Sequence, residues 1–130
     1  MARRHTASGS PYEAAIGFAR GVRVGDRILV SGTAPVEPDG SSTAGDAAVQ
    51  AERCLAIIAE AIEQLGGRVD DVVRTRLYLT DPADADAVGR VHGRIFGSVR
   101  PAATMLVTAA LLRPEWRVEI EAEAIVESEA

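Results

Sequence analysis

Three glutamates recur at every second position in VEIEAEA, residues 118–124: Glu119, Glu121 and Glu123. An extended chain sends alternate side chains to opposite faces. The three carboxylates therefore share one face of a strand, while Val118, Ile120 and Ala122 share the other. A carboxylate placed this way can do one of two things. It can move a proton or hold a water as a general acid or base, or it can neutralise a basic side chain across the sheet. The stretch DVVRTRLYLT, residues 71–80, offers the partners, because Arg74, Arg76, Tyr78 and Thr80 alternate with Val73, Thr75, Leu77 and Leu79. Glu121 and Glu123 are assigned to such pairs or to contacts between subunits. For Glu119 both roles stay open.

Few other side chains carry chemistry. His92 titrates near neutrality, but it falls on an apolar helical stripe with Val88, Val91, Ile95 and Phe96. That is the usual place for a buried, hydrogen-bonded histidine. Ser31 has no Asp–His pair near it in sequence that would make it a nucleophile. With Gly32 it reads as a polar wall, Gly32 leaving backbone N–H open to an anion. Cys54 lies in a helical core stripe and reads as a small hydrophobe. Trp116 lies in a turn and is expected to pack at an edge or a subunit contact. His5 lies in a loose N-terminal stretch. Two histidines so far apart, without a carboxylate cluster, give no metal signature. No metal and no cofactor are expected.

The elements that position these residues follow from periodicity and punctuation. Residues 1–21 are rich in Gly and Ser and read as loop, with a short strand at Arg3–Thr6. VRVGDRILVSG reads as two strands around a Gly25-Asp26 turn. Between Asp46 and Leu65, Cys54, Ile57, Ile58, Ala61, Ile62 and Leu65 recur at helical spacing, with Asp46 as N-cap and Gly66-Gly67 as the stop. A strand covers residues 71–80. Asp81-Pro82 opens a second helix, with Pro82 at its first position, and Gly97 closes it. AATMLVTAAL and RVEIEAEAIV are two final strands around LRPEW. The order is β-β-α-β-α-β-β in a single domain over residues 1–130. One mixed sheet with both helices on one face is the simplest α+β solution. It leaves a mixed, half-apolar face uncovered, which marks an oligomer interface.

Composition sets further bounds. The chain of 130 residues has a formal net charge of −5, which argues against a nucleic-acid partner. All 14 basic residues are arginine, so neither lysine Schiff-base chemistry nor a P-loop lysine is available. The single cysteine precludes a disulfide framework within one chain and fits a reducing cytoplasm. The N-terminus is basic but lacks an apolar core, so no secretory signal is expected, and no apolar run approaches a membrane span.

VGDRILVSGTAPV, DVVRTRLYLTD, HGRIFG, RPAAT and VEIEAEAI together resemble the Rid (reactive intermediate deaminase) family, also called YjgF or L-PSP endoribonuclease-like, over nearly the whole chain. The resemblance implies a chorismate-mutase-like fold and a homotrimer with a small-molecule metabolite bound in clefts between subunits. It also implies hydrolysis of enamines and imines to ketoacids and ammonia. In that family an arginine after Pro-Ala grips the substrate carboxylate, while a loop tyrosine and a glutamate on the last strand place the attacking water. Here the glutamate corresponds to Glu119 and the Ser-Gly turn to Ser31-Gly32. The arginine position holds Ala103, the loop aromatic is Phe18 without a hydroxyl, and Met105 stands where deaminating members often have cysteine. Arg20, Arg100 and His92 flank the implied cleft, and either arginine is a candidate for the missing positive charge. Loss of a bidentate carboxylate clamp costs about 1.5–3 kcal/mol, so little activity on ordinary 2-imino acids is expected. A binding or sensing trimer without turnover is the alternative, and a ribonuclease the weaker one.

Overall fold

The computed structural model describes residues 2–127. Its elements run β1 (Arg3–Thr6), α1 (Pro11–Ile16), β2 (Gly21–Val24), β3 (Arg27–Thr33), α2 (Ala47–Gln64), β4 (Val72–Leu79), α3 (Ala85–Phe96), β5 (Ala102–Val107) and β6 (Val118–Ile125). Short 3-10 turns cover Val69–Asp71 and Pro82–Asp84. The strands form one sheet in the order β1-β2-β3-β6-β4-β5. Every neighbouring pair is antiparallel except β4 and β5. This is the α+β architecture expected from the sequence, with α2 and α3 packed together on one sheet face.

The caps set the helix boundaries. Asp46 accepts a hydrogen bond from the Val49 N–H and opens α2, and Gly66 follows its end at φ 86°, a conformation that costs glycine nothing. Asp81 accepts from the Ala83 N–H, but Pro82 opens a 3-10 turn, and the α-helix proper begins at Ala85. The loop reading of residues 1–21 needs one correction. Ser10 accepts from the Tyr12 N–H, Pro11 takes the first helical position and Gly17 stops the turn at φ 92°. These are ordinary helix start and stop signals compressed into six residues.

The core is aliphatic, as the low aromatic content requires. Ile28, Val30, Ile58, Ile62, Leu77, Leu79, Val118 and Ile120 fill the space between sheet and helices, joined by Val88, Val91 and Phe96 from α3. Ile95, expected on the same stripe, is exposed.

Two β-bulges shape the sheet. Val30 pairs with Ala122 and Thr33 with Ile120, so three steps along β3 match two along β6. The extra residue lets both Val30 and Thr33 reach the core and leaves Ser31 and Gly32 between them. A second irregularity lies between Val72 and Arg74, opposite Ala124 and Glu123. It corrects the expected inner face of β4: Val72 is buried and Val73 is exposed, while Thr75, Leu77 and Leu79 point inward as expected.

The opposite sheet face carries the arginines and glutamates, only partly buried. All six residues of edge strand β5 are exposed. No helix among the described residues is long and apolar enough to cross a membrane.

Candidate functional site

The register of β4 against β6 decides what each glutamate meets. Glu123 lies opposite Arg74, Glu121 opposite Arg76, and Glu119 opposite Tyr78. Arg76 Nη1 stands 3.7 Å from Glu121 Oε2 and 3.4 Å from Glu123 Oε1. Tyr78 donates its hydroxyl proton to Glu121. That bond, with burial behind it, pushes the Tyr78 phenol above its ordinary pKa. Two of the three carboxylates are thus consumed on the sheet. Arg74, though opposite Glu123, forms no ion pair among the described residues.

Glu119 differs. Among the described residues its carboxyl makes no hydrogen bond and no ion pair. It rests against the bulge of β3, where a Cβ added to Gly32 would stand 2.5 Å from Oε2. Glycine at this position is what gives the carboxyl its room. Burial pushes the pKa of Glu119 above 4.5, opposed by the Arg20 charge and helped by Glu121. A carboxyl tuned upward by burial exchanges protons nearer neutrality than an exposed one.

Glu119 and Gly32 open into a pocket of about 160 Å³. Tyr12, Ile16 and Phe18 wall it from α1 and the turn after it, Ile57 from α2, and Leu112 and Trp116 from the loop before β6. Arg20 enters from the segment before β2 and is held from several sides. Its Nε lies 3.2 Å from Glu13 Oε2, and its Nη1 donates to the Gly32 carbonyl at 2.6 Å and to Thr33 Oγ1 at 3.1 Å. The guanidinium also lies over the Phe18 ring, 5.3 Å from its centroid. Glu13 in turn accepts from the Ser8 backbone N–H and hydroxyl. One buried ion pair therefore ties the N-terminal segment to the β3 bulge under Glu119. Arg53, the other lining cation, donates to the Val36 carbonyl at 2.9 Å and stands 3.8 Å from Glu37.

A second arginine braces the rim. Arg113 lies over the rings of Tyr12 and Trp116, at 5.7 and 5.2 Å. It donates to the Tyr12 hydroxyl at 3.4 Å and the Gly40 carbonyl at 3.2 Å. The Trp116 indole N–H donates to Ser42 Oγ at 2.9 Å. Three loops are thus joined around the mouth. The Tyr12 hydroxyl accepts from Arg113, and its own proton has no acceptor among the described residues.

Residues 9–126 match the family model described as Endoribonuclease L-PSP. An uncharacterized protein of Streptomyces coelicolor is 41% identical over 121 residues, 93% of this chain and 90% of its own length. The Escherichia coli 2-iminobutanoate/2-iminopropanoate deaminase is 33% identical over 116 residues, 86% of this chain and 90% of its own length. Among solved structures, a Mycobacterium tuberculosis member of the YjgF/YER057c/UK114 family superposes with a TM-score of 0.89 at 40% identity, covering 96% of this chain and all of that one. The chain belongs to the L-PSP (YjgF, Rid) family.

The residues singled out by the family's motifs divide in two. Phe18, Arg20, Gly32 and Glu119 converge on the pocket. Ser31, His92, Arg100, Ala103 and Met105 do not line it. The Ser31 hydroxyl is spent on the Ala19 carbonyl at 2.7 Å, because the bulge turns it back toward the preceding segment. His92 shares a 2.8 Å hydrogen bond with Thr75 Oγ1, packs on Phe96, and has its pKa lowered by burial. It belongs to the seam between α3 and β4 of its own chain. Arg100 is an exposed turn residue at φ 56°, its N–H donating to the Phe96 carbonyl. Ala103 and Met105 sit on exposed β5, with β4 between them and β6. Of the two arginines considered for the missing charge, only Arg20 is at this pocket.

Sequence reading missed Glu13, Tyr12, Ile57 and the inward role of Trp116. A signal for Tyr12 and Glu13 existed in SPYE, a helix start placing both in one turn. Trp116 is buried at 2% exposure in its own chain, not at an open edge. Cys54 is buried with a raised pKa, from desolvation first and the charge of Glu119 second, which fits its reading as an inert hydrophobe. No group of three or more potential metal ligands converges among the described residues.

Proposed function

We propose that the Glu119 pocket binds a small metabolite and adds water across its C=N bond, releasing a carbonyl compound and ammonia. The observation that carries this reading is the state of Glu119: half-buried, unpaired among the described residues, with a pKa shifted upward, and facing a pocket walled by apolar side chains. In the reaction, Glu119 takes a proton from water as its oxygen bonds to the imine carbon. With the imine protonated at the start, it returns that proton to the nitrogen of the resulting carbinolamine. It then takes the carbinolamine hydroxyl proton as the C–N bond breaks, so that the carbonyl compound and ammonia leave, and the carboxyl passes its proton to solvent. Charge and atoms balance without any redox step. The deaminases of Escherichia coli and Salmonella typhimurium among the relatives support a reaction of this type. Tyr12, whose phenolic proton is unspent, is a second proton donor toward the pocket and takes the place of the hydroxyl that Phe18 lacks. The working form is a homotrimer, and the uncovered sheet face and exposed β5 are the surfaces it buries. Rates on 2-imino acids are low, since Ala103 brings no guanidinium to the substrate carboxylate.

The changes at Phe18 and Ala103 favour a second reading, a binding trimer without turnover. Ammonia release separates the two. Imines are made in situ by an amino-acid oxidase or an amine oxidase, and the rate is compared with spontaneous hydrolysis and with Glu119→Gln. Acceleration lost in the variant supports hydrolysis, whereas no acceleration on any imine overturns it. A ribonuclease is the reading least supported: the chain is acidic, and Arg76 of β4 is taken by Glu121 and Glu123.

A further inference from the structure

Three guanidiniums stand at the pocket, and they are not held alike. Arg20 has Glu13 at 3.2 Å, and Arg53 has Glu37 at 3.8 Å. Arg113 is half-buried at the mouth and forms no ion pair among the described residues. Glu115, two residues on, accepts from the Ser42 hydroxyl at 2.7 Å instead, and Arg113 is the least of the influences that lower its pKa. What holds Arg113 is neutral: the Tyr12 hydroxyl accepts from Nε, the Gly40 carbonyl accepts from Nη1, and the rings of Tyr12 and Trp116 lie beneath the guanidinium. Nη2 donates to nothing among the described residues. All three of these partners line the pocket, and so does Leu112, the residue before Arg113. A guanidinium already fixed by rings and acceptors loses little freedom when an anion meets its open N–H groups. A half-buried charge without a counter-charge gains from one.

From this we infer that Arg113 is an anion-binding residue of the site: it receives a ligand's carboxylate at the mouth, at the far end of a short aliphatic chain whose other end reaches Glu119. The substrate class rests on the C=N reading and deepens it. The substrate is an imine whose carboxylate lies several bonds from the C=N carbon, not beside it as in a 2-imino acid. Glu119 lines the cavity and Arg113 does not, so a carboxylate bonded directly to a carbon held at Glu119 falls short of the guanidinium. Between the two lies the aliphatic surface of Ile16, Ile57 and Leu112. Ile16 and Leu112 are 65% and 74% exposed, an apolar collar suited to the chain of such a ligand. The cavity of about 160 Å³ is about five waters' worth of liquid, room for a few carbons. Distance between the anion and ionised Glu119 also keeps their repulsion small. One unpaired guanidinium matches the single charge of a carboxylate, where a doubly charged phosphate would leave a charge over. In the proposed trimer a neighbouring chain adds its own groups to this cleft, and Arg113 acts beside them. Water adds to the C=N carbon, ammonia leaves, and the product is a carbonyl compound that keeps its distant carboxylate.

Binding of stable probes to the full chain, in whatever assembly it forms, tests the role of Arg113 without turnover. 4-Methylpentanoate and 4-methylpentanamide share one branched chain and differ in charge. Titration calorimetry is expected to show the carboxylate binding about tenfold or more tighter than the amide, as one charge-assisted contact dictates. Arg113→Gln is expected to bring the two affinities together, and Glu119→Gln to leave the preference standing. The ratio of the affinities is the readout, because loss of a mere brace for Tyr12 and Trp116 weakens both probes alike. Arg113→Met, whose thioether chain still packs on both rings, makes the same test where the glutamine variant does not fold. Equal affinities in the unmodified protein overturn the inference, and so does a preference that survives either neutral substitution. Ammonia release separates this failure from failure of the broader reading. Release from an imine without any carboxylate preference in binding overturns the inference alone. A preference carried by Arg113, without ammonia release from any imine, overturns hydrolysis and leaves the anion contact standing.

Discussion

Glu13→Gln is the sharpest test of how the pocket is held open. Glu13 and Arg20 are 7% and 5% exposed, so the substitution leaves a buried guanidinium with neutral acceptors only. The Gly32 carbonyl and Thr33 hydroxyl still accept from Nη1, but no anion remains. Breaking one side of a buried pair costs about 3–5 kcal/mol. The lower end applies here, because Arg20 keeps two hydrogen bonds and borders a pocket that water reaches. Unfolding entropy for a chain of this length is about 0.27 kcal/mol/K, so about 3 kcal/mol lowers Tm by about 10 °C. Scanning calorimetry at fixed protein concentration measures the shift. The double variant Glu13→Gln, Arg20→Met is expected to recover part of the loss, since it removes the stranded charge. A drop below about 2 °C for the single variant, with no recovery in the double, would show that the pair is solvated in solution and does not anchor the N-terminal segment.

Three further outcomes follow from the site. The carboxyl of Glu119 titrates above 4.5 in the fold, so its stabilising protonated state is fully present below the unfolded value and lost as pH rises through the raised one. Glu119→Gln should therefore match the unmodified protein in Tm near about pH 4 and exceed it near about pH 7.5; equal values at both would show an unshifted carboxyl. Gly32→Ala places a Cβ 2.5 Å from Glu119 Oε2 and displaces a flexible end rather than backbone. It should cut turnover or probe binding by about tenfold or more with little change in Tm, and full activity would mean that Glu119 works from another position. Sedimentation equilibrium should give the mass of three chains, and a single-chain mass at micromolar concentration would remove the trimer.

The fold was legible because its signals are local. Glutamates at every second position announce β6, Asp46 and Gly66 bracket α2, and Gly25 marks the hairpin between β2 and β3. The errors come from features that local periodicity does not carry. A bulge adds one residue to a strand and flips the alternation on either side of it. For that reason Val73 reads as core when Val72 is, and for the same reason the turning-back of Ser31 is hidden. His92 sits on a stripe whose burial is uneven, with Ile95 exposed and His92 half-buried, and its neighbour Thr75 arrives from another strand. The pocket is assembled from four segments distant in sequence. Glu119 and Gly32 among its residues are readable through the family's motifs. Glu13 is not, because nothing in a six-residue helix says that its acid will be buried against an arginine seven positions on.

The three like charges of β6 are tolerated for a reason that also isolates Glu119. Carboxylates two residues apart on a strand lie roughly 7 Å from one another. At an effective dielectric near 20, their repulsion is about 2 kcal/mol, comparable to the effect of partial burial. An unpaired Glu121 would therefore weigh on the titration of Glu119 about as much as burial does. Arg76, shared between Glu121 and Glu123, and Tyr78, donating to Glu121, remove most of that repulsion. The order of the influences on Glu119 agrees: burial first, the opposing Arg20 charge second, Glu121 last. The pair register completes the arrangement, since the residue opposite Glu119 is a tyrosine whose proton is already given to Glu121. The outer pairs hold the strand's charge in place, and the innermost carboxyl is left free to exchange a proton with whatever enters beside Gly32.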